Sequence, residues 1–425
     1  MVRFEGYLSF LRVLFEVLIS FVEVINGFGT IGYFSFTTDW NRIPIICLMK
    51  NVIMQMKKLL KWALALVVVL STGFLSGCND DDDPVTPVAQ TITDEELANL
   101  GCYMDLHLHL DGSISVENYK RLAAISGIEV TQSDAELQNA LQVPDNCKDL
   151  NEYLERFDLP LTVLQTPESI EESVVLLADE LKQLGYIYAE VRYAPQLHLN
   201  RGLTQREVIE ATIRGAKRSA IPVNLILCCM RGDTNHEANM ETVELAGEYV
   251  SQNGVVAIDL AGAEALYPTP NFTELFQKAQ TLGVPFTIHA GEADGPESVK
   301  AALACGTKRI GHGVRSKEDS ELVKRLAAEG ITLECCPKSN LDTKIFASIE
   351  EYPFRYYLEQ GVRITINSDN MVVSNTNVIR EFQRLNAVFQ LTREEVKTVL
   401  QNSVQATFAS EAVKAELLKQ IHARF

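Results

Sequence analysis

Short β-branched, apolar runs alternate with longer stretches of helical pattern along most of the chain, and this alternation constrains the fold more than any other feature. The runs are 103–107, 186–193, 223–229, 255–260, 285–289, 308–311, 331–335 and 362–367. Between them lie helical stretches such as 168–184, 205–220, 240–252, 271–282, 316–329 and 352–360. A helix that returns the chain to the same edge of a sheet makes successive strands parallel. The segments VNLILCC (Val223 to Cys229) and VVAIDLA (Val255 to Ala261) are apolar without alternation, as strands covered on both faces are. Eight such units close a barrel, so residues 96–425 are expected to form one (β/α)8 TIM-type barrel domain. The alternative, a doubly wound open sheet, calls for a Gly-rich phosphate loop after the first strand, and none stands there. The connection from Ser113 to Gly185 is unusually long and mostly helical, an insertion placed to roof part of the barrel mouth.

The first hundred residues follow other rules. Met56 opens MKKLLKWALALVVVLSTGFLSGC, with Lys57, Lys58 and Lys61 ahead of an apolar run and small residues, the layout of a secretory signal peptide. The run ends Leu75-Ser76-Gly77-Cys78, which resembles the bacterial lipobox. That resemblance implies cleavage before Cys78, lipid on that cysteine and anchoring in a bacterial cell envelope, facing the periplasm or the cell surface. A membrane-spanning anchor is the other reading of the apolar run, since a span needs about 20 residues. Residues 54–77 are thus expected to be the leader. Residues 78–95, with Asp80 to Asp83 and scattered Pro and Thr, are too polar to pack and form a tether. Residues 1–53 precede a leader that normally begins a chain, and read as a start-site extension.

The formal net charge of −18 argues against a nucleic-acid partner, which requires clustered Lys and Arg, and favours a small molecule. Seven cysteines follow Cys78, among them the adjacent pairs Cys228-Cys229 and Cys335-Cys336. That pattern is no disulfide framework, and buried small apolar residues are expected.

Polar residues gather at the carboxyl ends of the expected strands, the face on which such barrels carry their sites. In the extended segment Met104-Asp105-Leu106-His107-Leu108-His109, His107 and His109 point to one face and the leucines to the other. His289 ends the fifth run and Asp369 follows the eighth, which a closed barrel lays beside the first. Three imidazoles and a carboxylate at such positions can hold Zn²⁺ with a place left for water. Each piece has a plainer reading as a satisfied polar residue at a barrel mouth, and the conjunction carries the metal reading.

The segments HLHLDGS, DLAGAE (Asp259 to Glu264), TIHAGE, RIGHG (Arg309 to Gly313), ECCPKSN (Glu334 to Asn340) and NSDN resemble, in order and from about Cys102 to Asn402, the motifs of the adenosine deaminase family of the amidohydrolase superfamily. The resemblance implies hydrolytic deamination of adenosine, and of 2′-deoxyadenosine, to inosine and ammonia, with one zinc ion per chain. It makes His107, His109, His289 and Asp369 the metal ligands. His312 would orient and deprotonate the attacking water, the glycines on either side letting the imidazole enter the mouth. Glu292 would deliver a proton to purine N1, which burial promotes by keeping the carboxyl neutral.

Asp111 would address the ribose, and Gly262 would expose its N–H to purine N3. Gly262 also has the plainer reading of a loop glycine needed for positive φ. The family's usual second aspartate after the eighth strand is Asn370 here, and its amide donates to purine N7 at any pH. No lysine ends the fourth strand to bridge two metals, and Lys338 reads as a rim charge. Adenine or another aminopurine nucleoside as substrate, or a catalytically silent purine-binding surface lipoprotein, are the competing readings.

Overall fold

In the computed structural model, which describes residues 90–250 and 254–425, eight strands run parallel in two groups of four. The strands are β1 (Tyr103–His109), β2 (Tyr186–Tyr193), β3 (Val223–Met230), β4 (Val255–Ala261), β5 (Thr287–Ala290), β6 (Arg309–His312), β7 (Thr332–Cys335) and β8 (Arg363–Ile366). They pair in chain order, β1 to β4 and β5 to β8, every ladder parallel. Two seams join the groups. Ile258 in β4 bridges Phe286, the amide of Ile258 donating to Pro285 O at 3.0 Å. At the other seam Leu108 bridges Asp369, the Asp369 amide donating to His107 O and the His109 amide to Asp369 O, both at 2.8 Å. The expected (β/α)8 barrel is therefore the observed one.

Each strand boundary lies within two residues of its sequence expectation, the largest shifts being at the end of β1, which runs on through His109, and at the start of β5. Helices follow the strands on the outside, several started by side-chain caps. Thr166, Thr204 and Asp319 each accept a backbone N–H at the head of the helices Pro167–Gln183, Gln205–Arg218 and Ser320–Glu329. The barrel interior and the layer under these helices form one apolar core in which Leu106, Ile226, Ile258, Ile288, Ile310, Leu333 and Ile364 are all buried.

The insertion between β1 and β2 is helical as expected, with helices Val116–Ile125, Asp134–Leu141, Leu150–Leu154, Asp158–Val163 and Pro167–Gln183. Part of it packs on the segment after β8: Val143, Cys147, Leu150 and Tyr153 cluster with Val373, and the Val143 amide donates to Val373 O. The leader, the start-site extension and the tether up to residue 89 lie outside the described residues. The tether's last five residues differ from the expectation. Thr91 bridges Thr392, Ile92 is buried and Thr93 caps a helix, Asp94–Asn99, so this stretch belongs to the barrel rim. The seven described cysteines are free and buried, as expected of small apolar side chains.

Candidate metal and catalytic site

The polar ends of β1, β5 and β6 and the turn after β8 meet over the barrel mouth. His107, His109, His289 and Asp369 bring one donor atom each to within 4.8 Å of one another. Asp369 Oδ1 lies 3.5 Å from His107 Nε2 and 3.4 Å from His109 Nε2. His107 Nε2 is buried and without a hydrogen-bond partner among the described residues. A buried imidazole nitrogen left unpaired is costly unless something else meets it. Three nitrogens and one oxygen in this arrangement suit a divalent cation of the zinc type, so the donor set fits the expected ion.

Two of the clustered imidazoles have a carboxylate behind them. His107 Nδ1 lies 2.8 Å from Glu334 Oε2 in β7, and His289 Nδ1 lies 2.8 Å from Asp259 Oδ2 in β4. Arg192, fully buried in β2, donates to both carboxylates, Nη1 to Asp259 Oδ2 at 2.9 Å and Nη2 to Glu334 Oε2 at 2.7 Å. Burial alone would raise the pKa of Glu334, but the Arg309 and Arg192 guanidiniums hold it well below the usual carboxylate range. A carboxylate behind each of these two imidazoles favours the ring nitrogen on the other side as the one that would face a metal.

His312 sits at φ +59°, in the left-handed region, with its Nε2 3.7 Å from Glu292 Oε1 and 3.9 Å from Asp369 Oδ2. The bend that turns its ring inward lies at His312 itself and at Gly313, φ +69°. Gly311 serves another purpose: a Cβ there would stand 3.0 Å from His107 Cε1 and 3.1 Å from His289 Cα, so its bareness makes room for the ligand histidines. On the far side of the ring, His312 Nδ1 meets the Asn340 amide at 3.1 Å. Burial, then the neighbouring His107, pushes the His312 pKa well below the ordinary value, favouring neutral imidazole. Glu292 is buried, and burial followed by the charges of Asp369 and Glu264 raises its pKa well above normal.

These groups border a cleft of about 260 Å³. Asp111, Gly262 and Asn370 line it with His109, His289, Glu292, His312 and Asp369, and His107, which does not line the cleft, joins them through the donor cluster, so the structure brings together every site residue expected from sequence. Gly262 has φ +106°, so its conformational reading is realised whether or not its N–H meets a ligand. Lys338 stays apart, paired with Asp342. Tyr153, Leu154, Phe157 and Leu161 from the insertion form an apolar wall.

Sequence reading missed several contributors. Glu334, Asp259 and Asn340 sit inside the motifs quoted above, yet their partners become visible only once the barrel is closed. Arg192, in the segment EVRY, left no signal beyond being a charge within an apolar strand, which is itself a reason to look for a buried partner. Gly112 is needed because a Cβ there would fall 1.8 Å from Asn370 Oδ1.

Known proteins agree with this geometry. The adenosine deaminase family model matches residues 103–424, and the chain belongs to that family. It is 47% identical to an adenosine deaminase of Haemophilus ducreyi over 330 residues, covering 76% of this chain and 96% of that protein. An adenosine deaminase of Clostridium acetobutylicum is 36% identical over 333 residues, 77% and 98% of the two chains. Among solved structures, an adenine deaminase from Arthrobacter aurescens superposes with a TM-score of 0.68 at 28% identity, covering 76% and 98%. An N6-methyl-AMP deaminase from Arabidopsis thaliana gives 0.67 at 26%, covering 78% and 98%.

Proposed function

We propose that this chain hydrolyses adenosine, and 2′-deoxyadenosine, to the 6-oxo nucleoside and ammonia, using one zinc ion held by His107, His109, His289 and Asp369. The observation that carries the reading is the cluster of four donors around an unpaired His107 Nε2, with His312 and Glu292 at its edge over a purine-sized cleft. When bound there, zinc supplies a water whose pKa is lowered toward about 7.

The chain's own groups do the rest. His312 Nε2 would take a proton from the water as oxygen adds to C6 and pass it to the amino nitrogen, so that the C6–N6 bond breaks and ammonia leaves. For Nε2 to accept that proton, Nδ1 must carry the ring N–H; the atom that faces Nδ1, at 3.1 Å, is the Asn340 side-chain nitrogen, so this tautomer requires the Asn340 amide to turn its carbonyl oxygen to the ring. Glu292, kept neutral by burial, gives its proton to N1 and quenches the charge that addition drives into the ring. Asn370 donates to N7, the Gly262 N–H to N3, and Asp111 accepts from a ribose hydroxyl. Tyr153, Leu154 and Phe157 cover the base and exclude water.

Adenosine is favoured over a nucleotide because the cleft lining holds Asp111 and Asp158 and no Lys or Arg to receive a phosphate. It is favoured over free adenine because a carboxylate at Asp111 has a sugar hydroxyl to bind. Ammonia release and absorbance change, followed on adenosine, adenine and AMP with Glu292→Gln as control, test the reading. Turnover of adenosine above the others supports it, and no turnover of any aminopurine by zinc-loaded protein overturns it.

The same proposal covers the amino-terminal region. Residues 54–77 act as a lipoprotein leader, Cys78 carries the lipid that anchors the chain in the bacterial envelope, and residues 78–89 tether the barrel. The support is the basic-apolar-small layout ending in Leu75-Ser76-Gly77-Cys78. Intact-mass analysis of native protein should show a lipidated amino terminus at Cys78, and a peptide recovered from residues 1–50 would sink the start-site reading.

A further inference from the structure

Glu264 ends the DLAGAE segment, is fully buried, and takes no part in the reaction as written above. Its carboxylate accepts four hydrogen bonds. Oε1 receives them from the Gly291 amide at 2.6 Å and the Ser298 hydroxyl at 2.5 Å, and Oε2 from the amides of Glu292 and Asp294, both at 3.0 Å. Three main-chain N–H groups converging on one point form the concave arrangement that binds anions, and here the anion is internal. The turn that makes them converge passes through Gly291 at φ +70°, where a Cβ would also stand 2.4 Å from Val299 Cγ2.

The other end of the same loop is gripped from β3. Arg231, the residue after that strand, donates from Nη2 to His289 O at 2.6 Å and to Thr269 Oγ1 at 3.1 Å, and from Nη1 to Tyr267 O at 2.6 Å. The loop from His289 to Asp294 is thus held between a guanidinium and a carboxylate reaching over from neighbouring strand ends. Deleting the carboxylate would leave three N–H groups of a dry loop without acceptors, and the loop would move to satisfy them.

The geometry points to Glu264 as the positioning residue of the acid: an internal anion that fixes the main chain at Glu292 so that its carboxyl stands where purine N1 arrives. This rests on the reading of Glu292 as the proton donor. A displacement of about 1 Å at a reacting group can cost about 100-fold in rate, so a loop held at three main-chain donors is a means of keeping rate. The charge of Glu264 also helps keep Glu292 protonated.

Glu264→Gln tests this, since the amide keeps the shape but turns an NH₂ toward N–H donors. Three readouts separate positioning from scaffolding: bound zinc, affinity for inosine, and affinity for purine ribonucleoside. The last can add water at C6 but has no amine to expel, so its binding with a shifted absorbance reports the addition step. The variant should keep one zinc per chain and bind inosine within about twofold of wild type. Its kcat on adenosine and its affinity for the hydrated ligand should fall together by about 10- to 100-fold. Ser298→Ala, which removes one donor to the carboxylate, should fall in the same direction by less.

A Glu264→Gln variant with kcat within about twofold of wild type overturns the inference, as does one that loses zinc or inosine affinity as steeply as rate. Should that variant fail to fold, Ser298→Ala decides: lowered kcat with intact inosine affinity supports the inference, and unchanged kcat overturns it. Wild-type protein that leaves adenosine untouched overturns the functional reading, and Glu264 falls with it. Wild-type turnover beside an unaffected Glu264→Gln overturns the inference alone.

Discussion

His312 and Asp369 both stand at φ +59°, a backbone region that costs a side-chain-bearing residue about 1 kcal/mol or more. Asp369 is kept there by the seam ladder, its N–H and C=O both bonded to β1, so the strain that aims its carboxylate is balanced by barrel closure. His312 has Gly313 beside it to complete the turn. Glu292 needs no such strain, because burial and the nearby charges of Asp369 and Glu264 adjust its chemistry. Replacing it with Gln should cut kcat by about 100-fold or more while zinc content and inosine affinity stay near wild type. A rate loss under about tenfold would remove it as the proton donor. Gly112→Ala should push the Asn370 side chain off its place, raising KM by about tenfold with a smaller change in kcat, and unchanged KM would show that Asn370 does not touch the purine. Much of this site was legible because its residues sit in contiguous patterns, His107 with His109 and His289 with Glu292. Arg192, Glu334 and Asp259 were not legible as partners: their contacts depend on strand order around the barrel, which no local pattern contains.

At the level of elements, the strands were readable because both faces of each are covered, which leaves unbroken apolar runs such as Val223 to Cys229. Their ends were less so. Pro285 and Lys308 stand just outside β5 and β6, and the turns at Phe272 and Val314 begin as 3₁₀ segments before the helices proper, Thr273–Leu282 and Ser320–Glu329. The helix Val378–Phe389 shows how an outer element is tied to the mouth. Its Glu381 is buried, accepts the Lys338 amide at 3.0 Å from the turn after β7, and also bonds Thr376. Burial raises the Glu381 pKa to about 7 from an ordinary 4.5. A carboxyl whose folded pKa is raised binds its proton more tightly in the native state, so stability falls as pH climbs from 4.5 toward 7 and then levels off. Glu381→Gln, which cannot ionise, should therefore match wild type near pH 4 and exceed it near pH 8 by up to about 3 kcal/mol. Urea unfolding at the two pH values checks this, and an equal difference at both would mean that the fold does not raise the pKa of this carboxyl.

Across the whole molecule, one buried charge network joins the two four-stranded groups beneath the mouth. Arg192 and Glu190 come from β2, Asp259 from β4, Arg309 from β6 and Glu334 from β7, and Arg309 links Glu334 Oε1 at 2.7 Å to Glu190 Oε2 at 2.5 Å. Through His107 and His289 this network reaches the donors of the metal cluster, and through Thr407 and Phe408 it reaches the chain after the helix Arg393–Ala406. Counting Asp369, four carboxylates face two guanidiniums, leaving two negative charges in a region from which water is excluded. A dication held by the proposed donor set would balance them. Such an ion would then stabilise the barrel as well as serve the reaction. Zinc at about 100 times its Kd should add about 2.7 kcal/mol, so chelation should lower Tm by several degrees and readdition of zinc should restore it. Glu334→Gln removes one of the four negative charges and the grip on His107 together, and should release zinc about 10- to 100-fold faster. Its apo form should lose less Tm on chelation than wild type does, because less uncompensated charge is left behind. An apo wild type as heat-resistant as the zinc form would separate the network from the metal and leave its charge to be balanced by proton uptake instead.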